Sequence, residues 1–221
     1  MNRSTTIPYL VESAAPLPLA DDERQTLARI LAPEVRIVVC RRPVVTEITS
    51  GLDRLVADGT LAASLRLTVT VGEPPALPEL RAAGAVEWLT DLAHLIEIYG
   101  QLCGCAQVEL RLEVIRRAMC PRFHVDRVGI RLLCTYRGPA TEWLDDRFAD
   151  RAWLGVNGHG LSDEESGLIR DPAAVHRVPP FAIVLLKGEL WPGNAGQGLI
   201  HRSPALLADE APRVLVALDA V

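Results

Sequence analysis

Residues 108–126 read VELRLEVIRRAMCPRFHVD. The first seven alternate apolar and polar side chains, the period of a half-buried strand that runs on to Ile115. In an extended chain, residues two apart point to the same side. His124 and Asp126 would therefore present an imidazole and a carboxylate to one spot, a spacing that suits two ligands of a single metal ion. The stretch thus announces a β structure built around a polar site and poses the question of a third ligand.

Working outward, His201 in the run GLIHRSP (residues 198–204) is the natural third donor. Two histidines and a carboxylate on one face of an ion, with the other positions open, form the facial set used by non-haem Fe(II) oxygenases. Arg213 opens the terminal run RVLVALD (213–219). In a closed two-sheet barrel its guanidinium would stand over the pocket, ready to grip a carboxylate in bidentate fashion. A cosubstrate with a terminal carboxylate is the implied ligand. His176 is a rival third ligand, and His159 is either an ordinary loop residue or a substrate contact.

The cysteines offer a different donor set. Cys103, Cys105, Cys120 and His124 supply three thiolates and an imidazole, the composition of a closed tetrahedral zinc site, although the CxC spacing departs from the usual CxxC. Cys120, four positions before His124, can also line or join the first site as a soft ligand favouring zinc over iron. Arg116, Arg117 and Arg122 read either as a solvated strand end or as an attractor of anions.

The phrases CPRFHVD (120–126), TYRGPATEWL (135–144) and HRSP (201–204) resemble a bacterial family known as a domain of unknown function. More remotely, the order of strand, HxD, strand, distal His and Arg over residues 107–219 resembles the prolyl-hydroxylase-like branch of the 2-oxoglutarate and Fe(II)-dependent dioxygenases. That resemblance implies a double-stranded β-helix, a jelly-roll or cupin-like barrel. It implies His124, Asp126 and His201 as iron ligands and Arg213 as the grip on the far carboxylate of 2-oxoglutarate. Tyr136 would donate its hydroxyl to the same carboxylate, and Gly138, Thr141 and Trp143 match the family's turn. Thr141 and Arg131 are further candidates for the site. One departure stands out: Arg213 is followed by Val214 and Leu215 rather than by the usual Arg-x-Ser, so a hydroxyl partner must come from Tyr136 or Thr135.

The rest of the chain fits a globular α+β protein. Its 221 residues hold 23 Lys plus Arg against 28 Asp plus Glu, a net charge of −5, which excludes a basic nucleic-acid binder. No apolar run approaches the ~20 residues of a membrane helix. No export signal is readable and the cysteine count is odd, so a reducing cytoplasm is expected. Strands are predicted over 35–40, 65–71, 108–115, 128–136, 181–186, 199–201 and 214–218, and helices over 21–31, 44–57 and 85–102. In the last of these, the apolar face runs from Trp88 to Leu102, and His94 falls on the polar side as a solvated residue. The three prolines within residues 72–78 divide an N-terminal mixed segment (1–80) from a helix-plus-barrel unit (81–221). Residues 155–167, polar and aperiodic, read as a loop or lid. Substrate and oligomeric state have no signature here.

Overall fold

Alternating residues on the central strands feed two different cores, and that alternation organises the molecule. The computed structural model describes residues 10–11, 20–117, 119–155, 160–206 and 211–221. In chain order its elements are β1 (Leu10–Val11), α1 (Ala20–Ala28), β2 (Ile37–Cys40), α2 (Thr46–Ala57), β3 (Ser64–Thr70), α3 (Pro78–Ala82), α4 (Val86–Cys103), β4 (Gln107–Ile115), β5 (Ile130–Arg137), β6 (Glu142–Leu144), β7 (Val175–Arg177), β8 (Ile183–Lys187), β9 (His201–Arg202) and β10 (Arg213–Ala220). Seven strands form one sheet in the order β1-β2-β8-β5-β10-β4-β3, and three form a second in the order β7-β6-β9. Among the described strands, only the β1–β2 pair is parallel.

Val108, Leu110, Leu112 and Val114 of β4, Leu132 and Tyr136 of β5, and Val214, Val216 and Leu218 of β10 face the helices in one core. The period of α4 places Trp88, Leu92, Leu95 and Tyr99 against them, all but sealed from solvent. Each such aliphatic side chain contributes about 1.5–3 kcal/mol by burial. The intervening residues of the same strands, Leu133 and Ala217 among them, face the other way and pack with Trp143 and Leu199 under the smaller sheet. The two sheets face each other in a jelly-roll-like sandwich. The expected closed barrel is not seen, because both strand orders are open. Strands β2 and β3, from before residue 80, belong to the same sheet as the later strands.

Two other expectations change. Residues 145–180, which carry no readable periodicity, contain β7 and short 3-10 turns at Asp146–Phe148, Arg151–Trp153 and Pro172–Ala174, the first and last capped by Asp145 and Asp171. His94 is half-buried rather than solvated, with Nε2 2.9 Å from the Glu23 carboxylate, tying α1 to α4. Its imidazole is raised above its ordinary value by that hydrogen bond, against the opposing effect of burial. No described helix is long and apolar enough to cross a membrane.

Candidate metal centre

His124 and His201 meet as an isolated antiparallel bridge. Each backbone N–H donates to the other's carbonyl at 3.0 Å. A pair that exchanges both hydrogen bonds puts its side chains on one face, and the two rings lie 4.6 Å apart between centroids. His201 begins β9, held in the small sheet opposite Trp143. Asp126, two residues past His124, completes the group: one donor atom from each of the three residues lies within 4.8 Å of the others.

The hydrogen bonds around the rings decide what this group can do. Nδ1 of His124 lies 2.9 Å from the carbonyl of Arg122, and Nδ1 of His201 lies 3.0 Å from that of Leu199. A carbonyl only accepts, so each Nδ1 carries the proton and each Nε2 is left to the site, the arrangement typical of ligating histidines. Both Nε2 atoms then face the Asp126 carboxylate, at 3.6 Å for His124 and 3.3 Å for His201. Lone pairs facing a carboxylate repel unless something electropositive lies among them. A first-row divalent cation meets that requirement: two imidazoles and one carboxylate suit such an ion and leave its remaining positions open.

The local electrostatics agree. Burial, helped by the neighbouring His201, holds the His124 imidazole below its ordinary value and favours the neutral form that ligates. Burial pushes the Asp126 carboxyl up. The nearby His201 and the charge of Arg131 outweigh this and hold it well below the usual carboxylate range. Arg131 donates to Oδ2 of Asp126 and, through Nε at 2.7 Å and Nη2 at 2.8 Å, grips Asp219. It orients the carboxylate from behind.

The three residues share a cavity of about 120 Å³ with Thr141, Ser203 and Arg213. Arg213 is 1% exposed. Its Nη1 donates to Ser203 Oγ at 3.0 Å, and its Nη2 to Thr135 Oγ1 at 3.1 Å and Thr141 Oγ1 at 2.9 Å. Its Nε has no partner, and no carboxylate pairs with it among the described residues. Burial alone pushes the guanidinium down to about 10, so it stays charged at neutral pH. A buried, unneutralised cation beside three hydroxyls is a site for an anion. Gly138 makes the approach to Arg213 feasible: it sits at φ 77°, and a Cβ there would lie 3.1 Å from Arg213 Cα.

Tyr136 is a correction. Side chains alternate along β5, so Thr135 faces Arg213 and Tyr136 faces the helices, where its hydroxyl donates to Asp91. The hydroxyl missing after Arg213 is supplied by Thr135, Thr141 and Ser203 instead. The cysteine set does not assemble. Cys120 is exposed at the cavity wall, and Cys103 lies at the end of α4, where burial pushes its thiol up to about 11. His176 stacks on Trp143 at 4.3 Å and is not in the group. His159 lies outside the described residues. The described part of residues 155–167 braces the site: buried Asp163 accepts the Phe123 N–H at 2.6 Å and pairs with Arg202 at 3.3 Å. Arg202 in turn lies over the Phe123 ring.

Asp163 has no sequence signal beyond a polar run, and neither does Gly188. A Cβ on Gly188 would stand 2.4 Å from the Val128 carbonyl and 2.5 Å from that of Asp126. The tight contact lets Glu189 N–H donate to the Asp126 carbonyl at 2.9 Å.

The model of the family described as protein of unknown function (DUF1826) matches residues 21–219. The chain belongs to the DUF1826 family. No curated protein sequence matches this DUF1826 member. Among solved structures it is similar to the Fe(II)/α-ketoglutarate-dependent dioxygenase TqaL, with 14% identity, 90% of this chain and 86% of that one covered, and a TM-score of 0.48. HygX from Streptomyces hygroscopicus, with nickel and 2-oxoglutarate bound, shows 14% identity over 92% of this chain and 86% of its own, with a TM-score of 0.43. A Pseudomonas putida prolyl-4-hydroxylase shows 13% identity over 90% and 99% respectively, with a TM-score of 0.45.

Proposed function

We propose that this DUF1826 chain is an Fe(II)- and 2-oxoglutarate-dependent oxygenase. One observation carries the reading: a His-Asp-His group with both Nδ1 protons committed to carbonyls shares its cavity with a buried guanidinium that no carboxylate among the described residues neutralises. His124, Asp126 and His201 would hold the metal, and Arg213 would take the far carboxylate of 2-oxoglutarate. With O₂, the bound iron and 2-oxoglutarate supply the oxidising chemistry. The chain's own contribution is placement. Arg131 keeps the Asp126 carboxylate turned toward the imidazoles, the two Nδ1 contacts fix the rings, and the hydroxyls of Thr135, Thr141 and Ser203 hold the Arg213 fork in plane. The apolar wall of Ile115, Leu133 and Leu215 restricts water.

A second reading is a non-catalytic metal-binding protein for zinc storage, sensing or delivery, and Cys120 at the cavity wall favours it. Anaerobically purified protein distinguishes the two. An oxygenase consumes 2-oxoglutarate once Fe(II) and O₂ are supplied, and His201→Ala abolishes this. Copurified zinc with no consumption of 2-oxoglutarate under any metal loading refutes the oxygenase and supports the second reading.

A further inference from the structure

The cavity is lined by several charged residues, and all but two have an ion pair among the described residues. Arg111 bonds Asp219 at 3.1 Å, Arg131 bridges Asp219 and Asp126, and Arg202 pairs with Glu142, Asp163 and Glu164. Asp126 belongs to the metal group. The two left over are Arg213 and Glu113, and the proposed function uses only Arg213.

Glu113 is 9% exposed and lines the same cavity. It sits near the end of β4, opposite Leu215 on β10 and Ser64 on β3. It has no hydrogen bond or ion pair among the described residues. Arg213 lies two register positions along, opposite Ile115, and forms no ion pair with Glu113. Ile115, Leu133 and Leu215 supply the neighbouring surface. A carboxylate that faces the cavity beside apolar side chains with no ion pair of its own is open to a positive group, and among the described residues Arg111, Arg131 and Arg202 are paired elsewhere while Arg213 bonds the hydroxyls of Ser203, Thr135 and Thr141.

We propose that Glu113 selects the substrate: a molecule carrying an ammonium or guanidinium on a short aliphatic stem, whose cation meets Glu113 while the stem lies on Ile115, Leu133 and Leu215. That this molecule is a substrate rests on the oxygenase reading; the cation site itself stands on the unpaired carboxylate. Two unmatched charges of opposite sign then divide the cavity. Arg213 takes the anionic cosubstrate and Glu113 the cationic substrate, and each charge disfavours the other's ligand.

The test is calorimetric titration of protein loaded with Mn(II) and 2-oxoglutarate under anaerobic conditions. The probes are n-butylamine, its neutral counterpart n-butanol and its anionic counterpart butyrate. The amine is expected to bind at least about tenfold tighter than either. Glu113→Gln should erase that preference while 2-oxoglutarate affinity stays within about twofold, and Glu113→Asp, which keeps the charge, should retain it. Equal binding of amine and alcohol by the wild type, or a preference that survives in Glu113→Gln, overturns the proposal. The wild-type ranking decides by itself if the Gln variant does not fold. Binding of 2-oxoglutarate is read in the same samples: its failure overturns the oxygenase reading, while an amine preference lost on Glu113→Gln still supports the cation site.

Discussion

Replacing Arg213 by Met separates a residue that serves a ligand from one that serves the fold. Burial lowers this guanidinium from an ordinary value of 12.5 to about 10. At about 1.4 kcal/mol per pH unit, the unneutralised charge costs the folded protein about 3 kcal/mol. Methionine removes that cost but gives up the hydrogen bonds to Ser203, Thr135 and Thr141. At about 1 kcal/mol each these cancel most of the gain, so the melting temperature of the ligand-free protein should move by only a few degrees. Cosubstrate binding should move far more. A carboxylate that neutralises Arg213 recovers the same 3 kcal/mol or so, and without the guanidinium the affinity for 2-oxoglutarate should fall about a hundredfold. Metal affinity should stay within about threefold, since no ligand is touched. Anaerobic calorimetry on Fe(II)-loaded protein reads both constants. If the Met variant binds 2-oxoglutarate within threefold of wild type, Arg213 is not the carboxylate grip. If it loses its cooperative melting transition, Arg213 is a residue of the core.

Gly188→Ala should destabilise the protein by about 2 kcal/mol or more and weaken metal binding, because the new methyl meets two backbone carbonyls that cannot retreat. Thermal melts and metal titration check this, and an unperturbed variant would show that the contact relaxes freely. Tyr136→Phe should cost about 1 kcal/mol by removing the bond from the buried hydroxyl to the part-buried Asp91 carboxylate, which keeps Arg42. Its affinity for 2-oxoglutarate should match wild type, and a large loss of affinity would put the hydroxyl back in the cavity. His94 carries a folded-state value raised above the unfolded 6.5 by its bond to Glu23. The pair's stabilisation, under about 1 kcal/mol at this half-exposed position, is therefore fully present below pH 6.5 and lost as pH rises through the raised value. Chemical denaturation from pH 5 to 8 should show that slope in wild type and not in His94→Gln.

The long elements are readable because each carries a strong period. The face of α4 and the alternation of β4 both lie within two residues of the positions expected from the sequence. The short strands β6 and β7 are not readable: three residues hold less than two full periods, and tertiary pairing rather than propensity makes them strands. At the site, the HxD pair and the distal His and Arg stand out by residue type, and the structure brings them into one cavity. Tyr136 misleads because the resemblance places a tyrosine without saying which side of the sheet it takes. A one-residue offset on a strand reverses the answer, and the contact with Arg213 falls to its neighbour Thr135. Asp163, Gly188 and Glu113 matter through what surrounds them: a backbone N–H, two carbonyls and an apolar cavity wall respectively. A single sequence displays none of these.

The position of β10 has a consequence for biosynthesis. It lies between β4 and β5, yet it is translated after every other strand of the sheet. Until it emerges from the ribosome, the two halves of the sheet have no shared ladder, and the pocket lacks its buried cation. The nascent chain must therefore wait with two apolar strand edges open, the condition in which chaperones bind, and the cavity is completed in a single late step when that strand slots home.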